Sequence, residues 1–396
     1  MIVKRMQALG EKRSVIREIF EYGKARKAAI GAENVFDFSL GNPSVPAPQE
    51  VTDALQKLLS ERDAVSLHGY TSAQGDADVR TAIANYLNEN YDANAKATDL
   101  YMTVGAAASL SACLSAVAGA GEEVIALAPF FPEYRVFTEQ TGATLAVVPM
   151  DEETFQISFD ALEKTLNEKT AALIINSPCN PSGTILSAQT LEKLGALLTE
   201  KSREYGHTIY LIADEPYREL AYDGIEVPYP TKFYPDTLVC YSFSKSLSLP
   251  GERIGYIFVS PEAKEHDALY AAICGAGRSL GYVCAPSLFQ HLIPHVLGKT
   301  ADVGIYKENR DLLYNGLSSY GFTAVKPDGA FYLFLRSPEK DAYAFCEKAK
   351  KYELLLVPGD DFAAPGYVRI SYCVTTEQIR RSLPAFRKLA EEYALI

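Results

Sequence analysis

From about residue 100 to residue 260 the chain alternates short, almost wholly apolar runs with longer segments whose apolar residues recur at helical spacing. The runs are LYMTV (100–104), EVIALAP (123–129), TLAVVPM (144–150), AALIINSP (171–178), TIYLIADE (208–215), LVCYSFS (238–244) and IGYIFVS (254–260). A strand with one face in water alternates apolar and polar residues. These do not, so both of their faces are expected to be buried, as in a largely parallel sheet flanked by helices. Segments such as SAQTLEKLGALLTEKSREYG (187–206) supply the helices, and together they predict a doubly wound α/β layout. Only residues 245–253 separate the last two runs, which is short for a helical crossover and admits an antiparallel final strand.

Beyond residue 290 the pattern changes. YKENRDLLYNGLSSYG (306–321) reads as a helix, AFYLFLR (330–336), LLLVPG (354–359) and YVRISYC (367–373) as short strands, and TTEQIRRSLPAFRKLAEEY (375–393) as a closing helix. This is an α+β unit and a second domain. Near the start, Ile16, Ile19 and Phe20 recur at the spacing of an amphipathic helix.

Length and composition narrow the picture. A chain of 396 residues exceeds one compact core. Its net charge of −12 repels phosphate backbones and argues against nucleic acid as a partner, while leaving room for a local anion pocket. Seven scattered cysteines with no CxxC pair argue against a disulfide framework or a zinc site and fit a reducing compartment. No apolar run reaches the ~18 residues of a membrane span, and the basic start lacks a secretory core. The expectation is a soluble cytoplasmic protein.

In an open parallel sheet, ligands bind where strands end. One run ends in IADEPY, with Asp214 at its tip and Tyr217 three residues on. Read alone, Asp214 caps a turn as readily as it anchors a ligand. A second run ends in NSPCNPSG, where Asn180 sits among ordinary turn residues. TVGAAASLSACLSAV is a strand, a glycine and then small residues that open a helix, which suits either tight packing or an anion at the helix N-terminus. SFSKSLSLPGER sets Ser242, Ser244 and Arg253 around Lys245. Hydroxyls and a guanidinium hold a phosphate, and a lysine in a dry pocket forms a Schiff base with an aldehyde. In APFFPEY, Phe130 or Phe131 can stack on a flat ring, although packing is the usual fate of phenylalanine. Together these features describe a planar ring bearing a phosphate, an aldehyde and a ring nitrogen paired with a carboxylate, which is pyridoxal phosphate.

The ordered set NPSG, ADEPY, SFSK and GERIGY, running between FSLGNPSVPAP and YVRISYC, resembles the class I/II aminotransferases, the fold-type I pyridoxal-phosphate enzymes. The resemblance implies a mostly parallel seven-stranded sheet between helices in a large domain, with a smaller α+β domain beside it. It implies an N-terminal arm and part of the small domain in residues 1–48, a large cofactor-binding domain in 49–290 and a small domain in 291–396. It makes Lys245 the Schiff-base lysine and proton shuttle, Asp214 the partner of the pyridinium nitrogen, and Tyr217 and Asn180 the donors to the phenolic oxygen. Phe131 would stack on the ring. Backbone at Gly105, Ala106 and Ala107, with Ser242, Ser244 and Arg253, would hold the phosphate. Arg369 would clamp the substrate carboxylate, and Gly41 and Asn180 would contact the substrate. Tyr70 in HGYTSAQG would reach the phosphate of a neighbouring subunit, which implies a homodimer with shared sites.

The expected reaction is ping-pong transamination from an L-amino acid to a 2-oxo acid, with aspartate and 2-oxoglutarate as the first choice. Alanine or aromatic amino acids are alternatives, and Arg278 and Arg336 are the candidates to bind a side-chain carboxylate. A C–S β-lyase acting on cystathionine or cysteine is the main rival. A ligand-sensing domain of a transcription regulator is a second, disfavoured by the acidic charge and by the lack of a preceding DNA-binding module.

Overall fold

A computed structural model describes residues 2–11 and 15–396. In chain order the strands among them are β1 (Phe36–Asp37), β2 (Leu100–Thr103), β3 (Glu123–Ala128), β4 (Thr144–Pro149), β5 (Thr170–Asn176), β6 (Tyr210–Asp214) and β7 (Thr237–Ser242). There follow β8 (Gly255–Val259), β9 (Thr323–Ala324), β10 (Tyr332–Arg336), β11 (Leu354–Leu355), β12 (Val357–Pro358) and β13 (Tyr367–Ser371). All seven apolar runs form strands of one sheet, in the order β2-β8-β7-β6-β5-β3-β4. Strands β3 to β7 pair in parallel, whereas β8 runs antiparallel to both β7 and β2, as its short connection allows.

The uninterrupted apolar character of the strands has a direct cause. Successive side chains on a strand point to opposite faces, and here both faces are covered. Leu238, Cys240, Ile257 and Val259 pack with Leu110, Leu114 and Ile273, which come from the helices Ala106–Val117 and His266–Ser279. Their neighbours Val239, Tyr241, Tyr256 and Phe258 pack on the other side with Val79, Ile83 and Leu292, from the helices Ala77–Tyr91 and Ser287–Val296. Farther along that second face, Leu173, Ile175, Leu211 and Ala213 meet Leu191, Leu194 and Leu198 of the helix Ala188–Tyr205.

The C-terminal segments build a four-stranded antiparallel sheet in the order β12-β13-β10-β9. A separate core joins it to the helices Val303–Ser319, Ala342–Lys350 and Thr376–Glu392 through Leu313, Phe331, Leu333, Phe345 and Phe386. Phe38 and Val45 belong to this core, and β1 pairs with β11, so the N-terminal segment packs with the C-terminal one. The expected amphipathic helix spans Val15–Ile30 and buries Ile19.

Candidate active site

Strands β2, β5, β6 and β7 point their carboxyl ends into one cleft of about 300 Å³, which β10 and β13 of the antiparallel sheet close from the other side. Each strand end delivers a functional group because the chain must turn there. After Ser242, β7 passes into a single helical turn, Phe243–Ser246, in which the Ser244 amide donates to Ser242 Oγ (3.1 Å). That turn carries Lys245 into the cleft, where its Nζ donates to the Gly41 carbonyl at 2.6 Å. Burial lowers the Lys245 pKa to about 8, and the positive charges of Arg253 and Arg369 push the same way. A lysine so placed is partly neutral near pH 7 and able to take up a proton.

Asp214, the last residue of β6, is buried. Its Oδ2 accepts from the Tyr134 hydroxyl at 2.6 Å, while its Oδ1 has no hydrogen-bond partner among the described residues. Burial raises its pKa to about 7, opposed by the Tyr134 hydrogen bond and helped by the neighbouring Glu215. Glu215 is itself held by a buried ion pair with Arg218 (Nε to Oε2, 2.7 Å), and the Arg218 guanidinium lies over the rings of Tyr229 and Tyr91. Asn176, at the end of β5, donates from Nδ2 to the Asp214 carbonyl (2.7 Å) and accepts the Asn180 amide on Oδ1 (2.7 Å). One side chain thus ties two strand ends together.

Gly105 caps the helix Ala106–Val117 with a φ of 92°, in the left-handed region that favours glycine. A Cβ there would lie 2.5 Å from Arg253 Nη2. Only glycine lets the guanidinium stand against the helix N-terminus, where unpaired amides and a cation together suit an anion. Arg253 is itself in the left-handed region, at φ 54°. The hydroxyl of Ser109 is taken up by Thr103 (2.8 Å), so this loop offers backbone amides to an anion, as the GAAAS sequence suggests.

On the opposite wall, Arg369 of β13 is sandwiched between the rings of Tyr332 and Phe362, each 4.8 Å from its guanidinium carbon. Its Nη1 donates to Asn180 Oδ1 (3.0 Å) and its Nη2 to the Ser39 carbonyl (2.6 Å), while the buried Nε has no partner. Tyr217 meets Tyr332 hydroxyl to hydroxyl at 2.9 Å.

Residues 33–386 match the family model described as Aminotransferase class I and II. The chain belongs to this family. A probable aspartate aminotransferase of Methanocaldococcus jannaschii is 28% identical, over 96% of this chain and 98% of that protein. An aminotransferase structure from Eubacterium rectale superposes with a TM-score of 0.98 at 57% identity, covering 99% of each chain. The aspartate aminotransferase of Thermus thermophilus with maleate superposes with a TM-score of 0.86 at 26% identity, covering 98% of this chain and 99% of that one. The protein is therefore a pyridoxal-phosphate-dependent aminotransferase of fold type I.

The cleft fits that cofactor on its own geometry. Asp214 Oδ1, without a partner among the described residues, suits a protonated ring nitrogen, and the Gly105–Arg253 cradle with Ser242 and Ser244 suits a phosphate. Gly41, Ala106, Ala107, Phe131, Asn180, Asp214, Tyr217, Ser242, Ser244, Lys245, Arg253 and Arg369 all line the cleft, with Gly105 directly behind it. Tyr70 stands apart from the cleft and is 90% exposed. Neither arginine considered for a side-chain carboxylate lines the cleft. Arg336 pairs with Glu152 at the surface (2.8 Å), and Arg278 is exposed at the end of its helix. Sequence reasoning missed Tyr134, Asn176 and Tyr332. Tyr134 packs edge to face with Phe131, which lines the cleft, and its place three residues after Phe131 is the sequence signal that could have found it.

The raised Asp214 pKa has a measurable consequence. An acid whose pKa is about 7 folded and near 3.8 unfolded stabilises the fold fully only below the lower value, and that stability is lost as pH rises towards the upper one. In the cofactor-free protein, Asp214→Asn is expected to flatten the fall in melting temperature between those pH values. An unchanged pH profile would show that Asp214 is not the buried acid described.

Proposed function

We propose that this aminotransferase takes its amino group from aspartate and passes it to 2-oxoglutarate, with Lys245 as the proton-transferring residue. The observation that carries the site reading is the depressed, buried Lys245 ammonium facing the unpartnered Asp214 oxygen across one cleft. When bound, pyridoxal phosphate supplies an aldehyde that captures the amine and a protonated ring that draws electrons from the substrate. Asp214 Oδ1 keeps the ring nitrogen protonated. Asn180 is oriented by Arg369, which occupies its Oδ1 and leaves Nδ2 free to donate to the phenolic oxygen beside Tyr217. Phe131 covers the ring, and Ser242, Ser244, Arg253 and the amides of Gly105, Ala106 and Ala107 hold the phosphate. Arg369 binds the substrate α-carboxylate through its guanidinium fork, next to Gly41. Lys245 Nζ accepts the proton of the amino acid's Cα–H bond and later returns it.

The choice of aspartate rests on the relatives from Methanocaldococcus jannaschii and Thermus thermophilus that carry that name. The cations among the described residues lining the cleft are Lys245, Arg253 and Arg369, and each already has a role. A shared site in a homodimer fits this need for a further cation. Support for the dimer comes from exposed Val65, Tyr70 and Val283, which stand on neighbouring segments joined by the Ser287 hydroxyl to the Leu67 carbonyl (2.8 Å). The seven free cysteines favour a cytoplasmic location, and among the described residues no helix is long and apolar enough to cross a membrane.

Lys245→Ala is expected to abolish turnover while the protein still takes up pyridoxal phosphate noncovalently. In the wild type, single amino acids are added to the yellow holoenzyme. Bleaching to the amine form by aspartate, and not by alanine or aromatic amino acids, supports the donor. Pyruvate and ammonia released from cystathionine would instead reveal a lyase. Arg369→Lys replaces a planar fork with a point charge and is expected to raise the amino-acid KM about 10- to 100-fold; an unchanged KM would mean that the carboxylate docks elsewhere. Sedimentation should give a dimer, and Tyr70→Phe should weaken cofactor binding about tenfold. A monomer with full activity would refute the shared site.

A further inference from the structure

We propose that Tyr332 is a positioning residue for the cofactor: its hydroxyl donates to the Tyr217 hydroxyl and thereby commits the Tyr217 proton to the cofactor's phenolic oxygen. This rests on the reading above that Tyr217 meets that oxygen.

The two rings are buried and meet edge to face, 5.7 Å apart at 83°, so their polar contact is hydroxyl to hydroxyl at 2.9 Å. A tyrosine hydroxyl has one proton. If Tyr217 gives it to Tyr332, nothing remains to donate into the cleft. If Tyr332 donates instead, the Tyr217 proton is free for an anionic oxygen. Among the described residues the Tyr332 hydroxyl has no other hydrogen-bond partner, so Tyr217 is where its proton can go.

Two further observations favour this polarity and place. Burial raises the Tyr332 pKa to about 12, but the Arg369 guanidinium, 4.8 Å over the ring, opposes that rise and makes the hydroxyl a better donor than burial alone would leave it. A Cβ on Gly41 would collide with the Tyr332 hydroxyl, so the glycine leaves the space that the hydroxyl occupies. The carbonyl of the same residue receives Lys245 Nζ. Hydrogen bonds in series polarise one another, so the Tyr332 donor strengthens the Tyr217 donor. A stronger donor stabilises the phenolic anion and lowers the pKa of the bound cofactor.

The test is a pH titration of cofactor absorbance in holoenzyme variants, with steady-state kinetics alongside. Tyr332→Phe keeps the ring and removes only the oxygen. It is expected to raise the cofactor pKa by roughly a few tenths of a unit to one unit, and to lower kcat with the amino-acid KM changed less than about twofold. In a Tyr217→Phe background, Tyr332→Phe is expected to add no further shift, because Tyr332 acts through Tyr217. Incorporating 3-fluorotyrosine at position 332 makes a stronger donor of nearly the same shape and should move the pKa down, which keeps the test decisive if Tyr332→Phe folds poorly. A pKa unmoved by either change at position 332, or a shift that persists without the Tyr217 hydroxyl, overturns the proposal alone. If Tyr217→Phe by itself leaves the pKa in place, Tyr217 does not meet the phenolic oxygen, and the site reading fails together with the relay.

Discussion

A carboxylate with one unpaired oxygen lies at the floor of the cleft, out of water, at the end of a central strand. Burying a carboxylate without a counter-charge is costly, and the Asp214 pKa of about 7 measures that cost. Much of the surrounding architecture makes the position tolerable. Tyr134 satisfies Oδ2, Asn176 ties down the backbone carbonyl, and Arg218 neutralises the second acid, Glu215. Arg218 is stacked on two tyrosines and cannot swing towards Asp214 without losing those contacts.

The opposite requirement governs Lys245. It is buried near two guanidinium groups, with the Gly41 carbonyl and the face of the Phe331 ring beside its ammonium. Acid and base are pushed towards each other's range by one cause, desolvation, and the cleft that dries them is closed by two sheets with separate cores. The groups that line the cleft stand on strand ends and a single helical turn, rigid supports that fix their geometry.

Much of the site was legible in the sequence because the local signals are short and ordered along the chain. Asp214 and Tyr217 share one strand end, and Ser242, Ser244, Lys245 and Arg253 share one turn. Each group needs only a strand and the loop that follows it. Tyr134, Asn176 and Tyr332 were not legible because their roles lie in contacts with other elements. Tyr134 reaches Asp214 from a helix 80 residues earlier in sequence, and Tyr332 reaches Tyr217 from another sheet, 115 residues later. Arg278 and Arg336 illustrate the converse: arginine suits a carboxylate by type, but both side chains stand outside the cleft.

The sequence by itself determined the strands and their burial on both faces, and the short connection before β8 allowed it to run antiparallel. These follow from periodicity and connection length, which are properties of the chain alone. It also determined which residue types gather at the strand ends. The tertiary structure decided which of them meet. The 2.5 Å approach of Arg253 to the Cβ position of Gly105, the sandwich around Arg369 and the pairing of two tyrosine hydroxyls all join segments distant in sequence. Such contacts depend on how whole layers pack, and no local pattern of residues encodes the distance between layers.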